Sequence, residues 1–130
     1  MMSVEPLSSH APAPGLDPEA LARLRELDPK GDNKLLERVL QAFQASAARL
    51  MPQLEAARLS GDRATVRLVA HTLKSSSASI GALELSQVCA QIEALIRAES
   101  TDDLDPLLHR MRDTLDAALG AIQRLLGGAR

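Results

Sequence analysis

The residues best suited to chemistry fall in one short run, residues 66–82, VRLVAHTLKSSSASIGA. On a helix turning ~100° per residue, Val66, Val69, Ala70, Leu73, Ser77 and Ile80 lie within roughly 80° of one another and form a buried face. His71 lies roughly 150° from the centre of that face, so it points to solvent. Lys74 at i+3 and Ser75 at i+4 share its surface. Ala78 and Ala82 continue the strip, and Leu68 stands one turn before the histidine on the same exposed side. Small neighbours leave the imidazole open to a second protein. An exposed leucine offers that protein an apolar contact.

A neutral imidazole is a good nucleophile near neutrality, because its unperturbed pKa is ~6.5. A phosphoryl group on an imidazole nitrogen is labile and can be passed to an acceptor. Lys74 is positioned to hold the phosphoryl oxygens and offset their charge. The sequence contains no acidic cluster that would bind magnesium, so a partner must supply both the metal and the acceptor carboxylate. Ser75, Ser76, Ser77 and Ser79 have no base and orienting group to make them nucleophiles. Ser77 faces inward and is expected to bond a backbone carbonyl one turn back. Cys89 reads as a small core residue, His109 as a solvated residue on the flank of the last helix, and His10 as inert.

Five helical segments would position these residues. A short helix spans Leu16–Leu27, with Asp17 as cap and Pro18 in its first turn. A long helix, about Asn33–Ser60 with Asp32 as cap, carries an apolar stripe of Leu36, Val39, Leu40, Phe43, Ala47, Leu50, Met51 and Leu54. Pro52 lies within that stripe and should bend the helix rather than end it. The third helix, Arg63–Ile80, is capped by Asp62 and closed by Gly81. The fourth runs from Leu83 to Ala98, and the fifth from Asp103 to Leu126. The fold class expected is all-α: an antiparallel four-helix bundle with an additional short N-terminal helix over one end. Residues 1–15, rich in Pro and Ser, read as a flexible N-terminal segment, and 16–128 as the bundle domain.

Composition agrees with this and excludes other classes. The 130 residues are 45% hydrophobic but only 1% aromatic, a single Phe43, so the core is built of Leu, Ala, Val, Ile and Met. A formal net charge of −2 and the lack of aromatic platforms argue against a nucleic-acid partner. One cysteine excludes an internal disulfide framework. No apolar run approaches a membrane span, and no signal-peptide pattern is present. The expectation is a cytoplasmic, soluble, monomeric protein.

The run His71-Thr72-Leu73-Lys74-Ser75-Ser76-Ser77, followed by Gly81-Ala82 and Val88-Cys89, resembles the histidine-containing phosphotransfer (HPt) family of two-component phosphorelays. That family is typified by His-x-Leu-Lys-Gly-Ser-x with a glycine ten residues after the histidine. The likeness extends over about residues 16–126 and includes the long helix with Pro52. It implies that His71 is the phosphorylated histidine, that Lys74 assists at the phosphoryl group and that Gly81 ends the helix. Ser75 stands where the family usually has glycine, and its hydroxymethyl group either crowds the partner or hydrogen-bonds the phosphoryl group. Glu93 falls near the place where some members hydrogen-bond the imidazole, which would orient the ring. Leu68, Ala78, Gly81 and Ala82 would form the docking strip. The implied partners are response-regulator receiver domains or a hybrid sensor histidine kinase, with no cofactor of the chain's own and Mg2+ supplied by the receiver.

Other readings are weighed against the relay. A docking bundle that binds signalling partners without phosphotransfer would make His71 incidental. An autonomous kinase, or any enzyme in its own right, fails for want of a glycine-rich nucleotide loop and of room for an ATP-binding domain. A dimeric phosphoacceptor domain of a sensor kinase usually carries an acidic residue directly after the histidine, where this chain has Thr72.

Overall fold

A computed structural model describes residues 15–127. The expected flexible segment, apart from Gly15, lies outside the described residues, and so does His10. Five helices follow in order: α1 Pro18–Glu26, α2 Leu35–Ser60, α3 Arg63–Ser79, α4 Leu83–Arg97 and α5 Asp105–Gly127. The expected all-helical bundle with a short extra helix is what the chain forms. Helix α3 packs most extensively on α4, then on α2. The contact between α2 and α5 is the slightest of those that close the bundle.

The interior is aliphatic, as the composition requires. Leu40, Leu73, Ile80, Leu85, Ile92, Met111, Leu115 and Ile122 are all but fully removed from solvent. Each such side chain contributes about 2 kcal/mol of burial free energy. Leu36, Val39, Met51, Leu95, Ile96, Leu107, Leu119 and Leu125 are partly buried at the rims. Cys89 is fully buried, and burial pushes its thiol up to about 12, so it stays protonated and inert.

The helix ends follow local chemistry. Asp62 caps α3, its Oδ1 accepting the Thr65 N–H at 3.1 Å. Gly61 ends α2 in the left-handed region, φ +74°. Helix α2 begins at Leu35, two residues later than expected, and Asp32 is not its cap. The carboxylate of Asp28 reaches across the loop instead and accepts the N–H groups of Asn33 and Leu35 at 3.2 and 3.1 Å. Lys34, in the cap position, adopts a left-handed φ of +50°. Asp17 does precede α1, but its side chain makes no capping bond. Its backbone N–H donates to the Gly81 carbonyl at 2.8 Å, which ties α1 to the turn between α3 and α4. The long helix runs on through Pro52 to Ser60, as the unbroken apolar period requires.

Ser77 faces inward as expected and is fully buried, but its hydroxyl has no hydrogen-bond partner. The carbonyl one turn back, Leu73 O, is approached by Ser76 Oγ at 3.4 Å instead.

Candidate functional site

His71 emerges from the middle of α3 because the residues around it at helical spacing, Val66, Val69, Ala70, Leu73 and Ser77, are all drawn into the core. Its side chain is 57% exposed. Lys74 lies one turn on, half-buried, and Ser75 and Ala78 are exposed beyond it. Leu68 is exposed one turn before.

Glu93 comes up against this face from α4. It is only 2% exposed, so it is not a solvated flank residue. Burying a carboxylate is costly unless donors replace its water, and three donors do. His71 Nδ1 lies 2.8 Å from Oε2, Lys74 Nζ donates to Oε1 at 2.6 Å, and Arg97 donates to Oε2 at 2.7 Å. The hydrogen bond from Lys74, with a further one from His71, outweighs desolvation and holds the Glu93 carboxyl at about 2. An ionised carboxylate can only accept, so Nδ1 carries the ring proton and Nε2 presents its lone pair to solvent. Ser86 Oγ donates to the Lys74 carbonyl at 2.9 Å, a second link between α3 and α4 beside the site.

The pH dependence follows from the sign of that shift. A carboxyl lowered from the ordinary 4.5 to about 2 stabilises the fold fully above pH ~4.5 and loses that contribution as pH falls through about 2. The Glu93 side-chain carbonyl should therefore show its 13C NMR titration near pH 2. A midpoint near 4 would mean that the three-donor cluster does not form in solution.

The sequence-based site residues separate into two groups. His71, Lys74, Ser75, Leu68 and Ala78 share the accessible face, with Glu93 set behind the imidazole. Gly81 and Ala82, expected on the docking strip, are buried and do not belong to it. Helix α3 ends at Ser79, so its period does not extend to them. The chain turns under α1, where a Cβ on Gly81 would lie 2.7 Å from Asp17 N. Arg97 was not among the expected residues. Its signal was the Glu93–Arg97 i,i+4 pair on α4, which reads as an ordinary surface pair until Glu93 is known to be buried. His109 lies exposed on α5, away from this cluster.

Among the described residues no helix is long and apolar enough to cross a membrane. No curated protein sequence matches the chain. Among solved structures, the fold is similar to that of histidine-containing phosphotransfer protein B (HptB) from Pseudomonas aeruginosa PAO1. The TM-score is 0.79 at 24% identity, over 91% of this chain and 99% of that one. The model of the Hpt domain family matches residues 38–121, well over half of the chain, a stretch that contains His71, Lys74 and Glu93. The chain therefore belongs to the Hpt domain family, whose members carry phosphoryl groups on histidine in phosphorelays rather than acting as kinases.

Proposed function

We propose that His71 is the residue of this chain that takes the phosphoryl group, through Nε2, from the aspartate of one receiver domain and gives it to the aspartate of another. The observation that carries this reading is the pairing of an exposed imidazole with a buried, ionised carboxylate: Nδ1 is 2.8 Å from Glu93 Oε2, which leaves Nε2 as the free nucleophile. Lys74 has three donors and uses one on Glu93 Oε1, so others remain for phosphoryl oxygens. Ser75, exposed one helical turn beyond His71, adds a hydroxyl to the same face. Leu68 and Ala78 form the apolar and small-residue contact for the receiver domain, which brings its own Mg2+ and carboxylate. In this reading the chain is a phosphoryl carrier without a kinase site, works as a monomer in the cytoplasm, and receives phosphate from a hybrid sensor kinase or another receiver domain.

Transfer of radioactive phosphate from a phosphorylated receiver domain tests it. His71→Gln should abolish labelling and leave the chain folded, with a loss of about 1 kcal/mol because one of the three donors to the buried Glu93 carboxylate is replaced. Undiminished labelling of the variant would move the acceptor elsewhere. A folded, receiver-binding chain that never takes label would favour the docking bundle.

A further inference from the structure

The charges on the two helices that frame His71 are not balanced. Helix α3 has no Asp or Glu among its 17 residues and carries Arg63, Arg67 and Lys74. Helix α4 adds Arg97 and two carboxylates, neither of which is free to meet a partner at the ring. Glu93 is buried and held by His71, Lys74 and Arg97, and Glu84 is turned to α5, 3.4 Å from Arg110. A chain with a formal net charge of −2 therefore presents a cationic surface from these two helices.

Three of the four cations are held by groups of the chain itself. Lys74 and Arg97 donate to Glu93 at 2.6 and 2.7 Å. Arg63 donates to the backbone carbonyls of Ser100 and Asp102 at 3.2 and 2.9 Å. Arg67 is the exception: among the described residues no carboxylate pairs with it. It is half-buried and stands four residues before His71, about 6 Å along the axis and ~40° round the helix, so it is a direct neighbour on the same surface.

We propose that Arg67 is a specificity-determining residue for phosphoryl exchange: its guanidinium takes a carboxylate on the docking surface of the receiver, distinct from the one that carries the phosphoryl group. The inference rests on His71 being the phosphoryl carrier and on a receiver domain being its partner. A receiver that reaches His71 covers a disc of about 16 Å radius around it, and Arg67 lies well inside. A cation covered without a partner loses its water with nothing in return, so an apolar or basic residue opposite Arg67 is penalised. An acidic one is rewarded, because the planar fork of the guanidinium matches a carboxylate and opposite charges speed the encounter. The chain therefore exchanges fastest with receivers that are acidic at this point.

The test measures transfer from a phosphorylated receiver domain, the fastest of a panel, beside charging by phosphoramidate, a small-molecule phosphoryl donor that makes no interface. Relative to phosphoramidate, the second-order rate with the receiver should fall about threefold in Arg67→Ala and about tenfold or more in Arg67→Glu. The loss should shrink to about twofold or less in 1 M salt, where charges are screened within ~3 Å. Exchanging one docking-face Asp or Glu of the receiver for Lys should slow transfer with the wild type and restore it about threefold or more with Arg67→Glu. If no such exchange restores transfer, or if the loss persists in 1 M salt, the inference is overturned. An equal loss with phosphoramidate overturns it too, since Arg67 would then act at the phosphoryl group. If Arg67→Glu does not fold, Arg67→Gln decides, because the Lys-bearing receiver should be slowed with the wild type and not with that variant. Label appearing in His71→Gln would instead remove the underlying assignment.

Discussion

Ala78→Arg is expected to slow phosphoryl exchange with a receiver domain about thirtyfold or more, while leaving the fold and charging by phosphoramidate unchanged. Ala78 lies seven residues beyond His71, almost two full turns, so it sits on the same exposed face about 10 Å along α3. A receiver that brings its aspartate to Nε2 covers the surroundings of the ring as well. A specific interface takes about 800 Å² per partner, a disc with a radius of about 16 Å, which includes Ala78. A long cation there must be displaced or desolvated, at about 2 kcal/mol or more, and that corresponds to the stated loss. A small donor makes no such interface, and an exposed helical position accepts arginine in place of alanine at only a few tenths of a kcal/mol, roughly, in helix propensity. Equal slowing with both donors would mean that the substitution damages the site itself. No slowing with either would place the docking surface elsewhere.

How far this arrangement could be read from the sequence depended on whether the information was periodic or local. The exposure of His71 and the burial of Leu73 follow from angular position on one uninterrupted helix, and both are as the spacing implies. Gly81 and Ala82 lie off the exposed strip because α3, and with it the helical period, ends at Ser79. Once the chain reverses at Gly81, φ +83°, residues beyond it answer to α1 and α4 rather than to the α3 period. The start of α2 differs from the local pattern for a related reason: N–H groups at its entry are met by Asp28, five and seven residues away from its targets, a reach that a cap adjacent to the helix does not suggest. Glu93 was placed beside His71 by family resemblance. Its burial and its three donors were not legible, because they depend on how α4 lies against α3. Arg97 was lost with them, since an i,i+4 pair on a surface and one on a buried carboxylate look the same in sequence.

Gly81→Ala is expected to destabilise the fold by about 3 kcal/mol and lower the melting temperature by about 10 °C. Two separate costs combine. At φ +83° a residue with a Cβ is strained by about 1–2 kcal/mol. The added carbon would also lie 2.7 Å from Asp17 N, 2.9 Å from Asp17 O and 2.9 Å from Ala20 Cβ. Two of those atoms are backbone, held in place by the Asp17 N–H bond to the Gly81 carbonyl, so α1 must lift, at about 1–3 kcal/mol of overpacking. Gly31→Ala isolates the first cost. Gly31 has a similar φ of +72°, with nothing within 4 Å of the Cβ position, so its alanine variant should lose only about 1–2 kcal/mol. The difference between the two variants in thermal denaturation measures the packing of α1 over the α3–α4 turn. If the two losses are equal, α1 does not press on Gly81 in solution, and the glycine serves only to turn the chain.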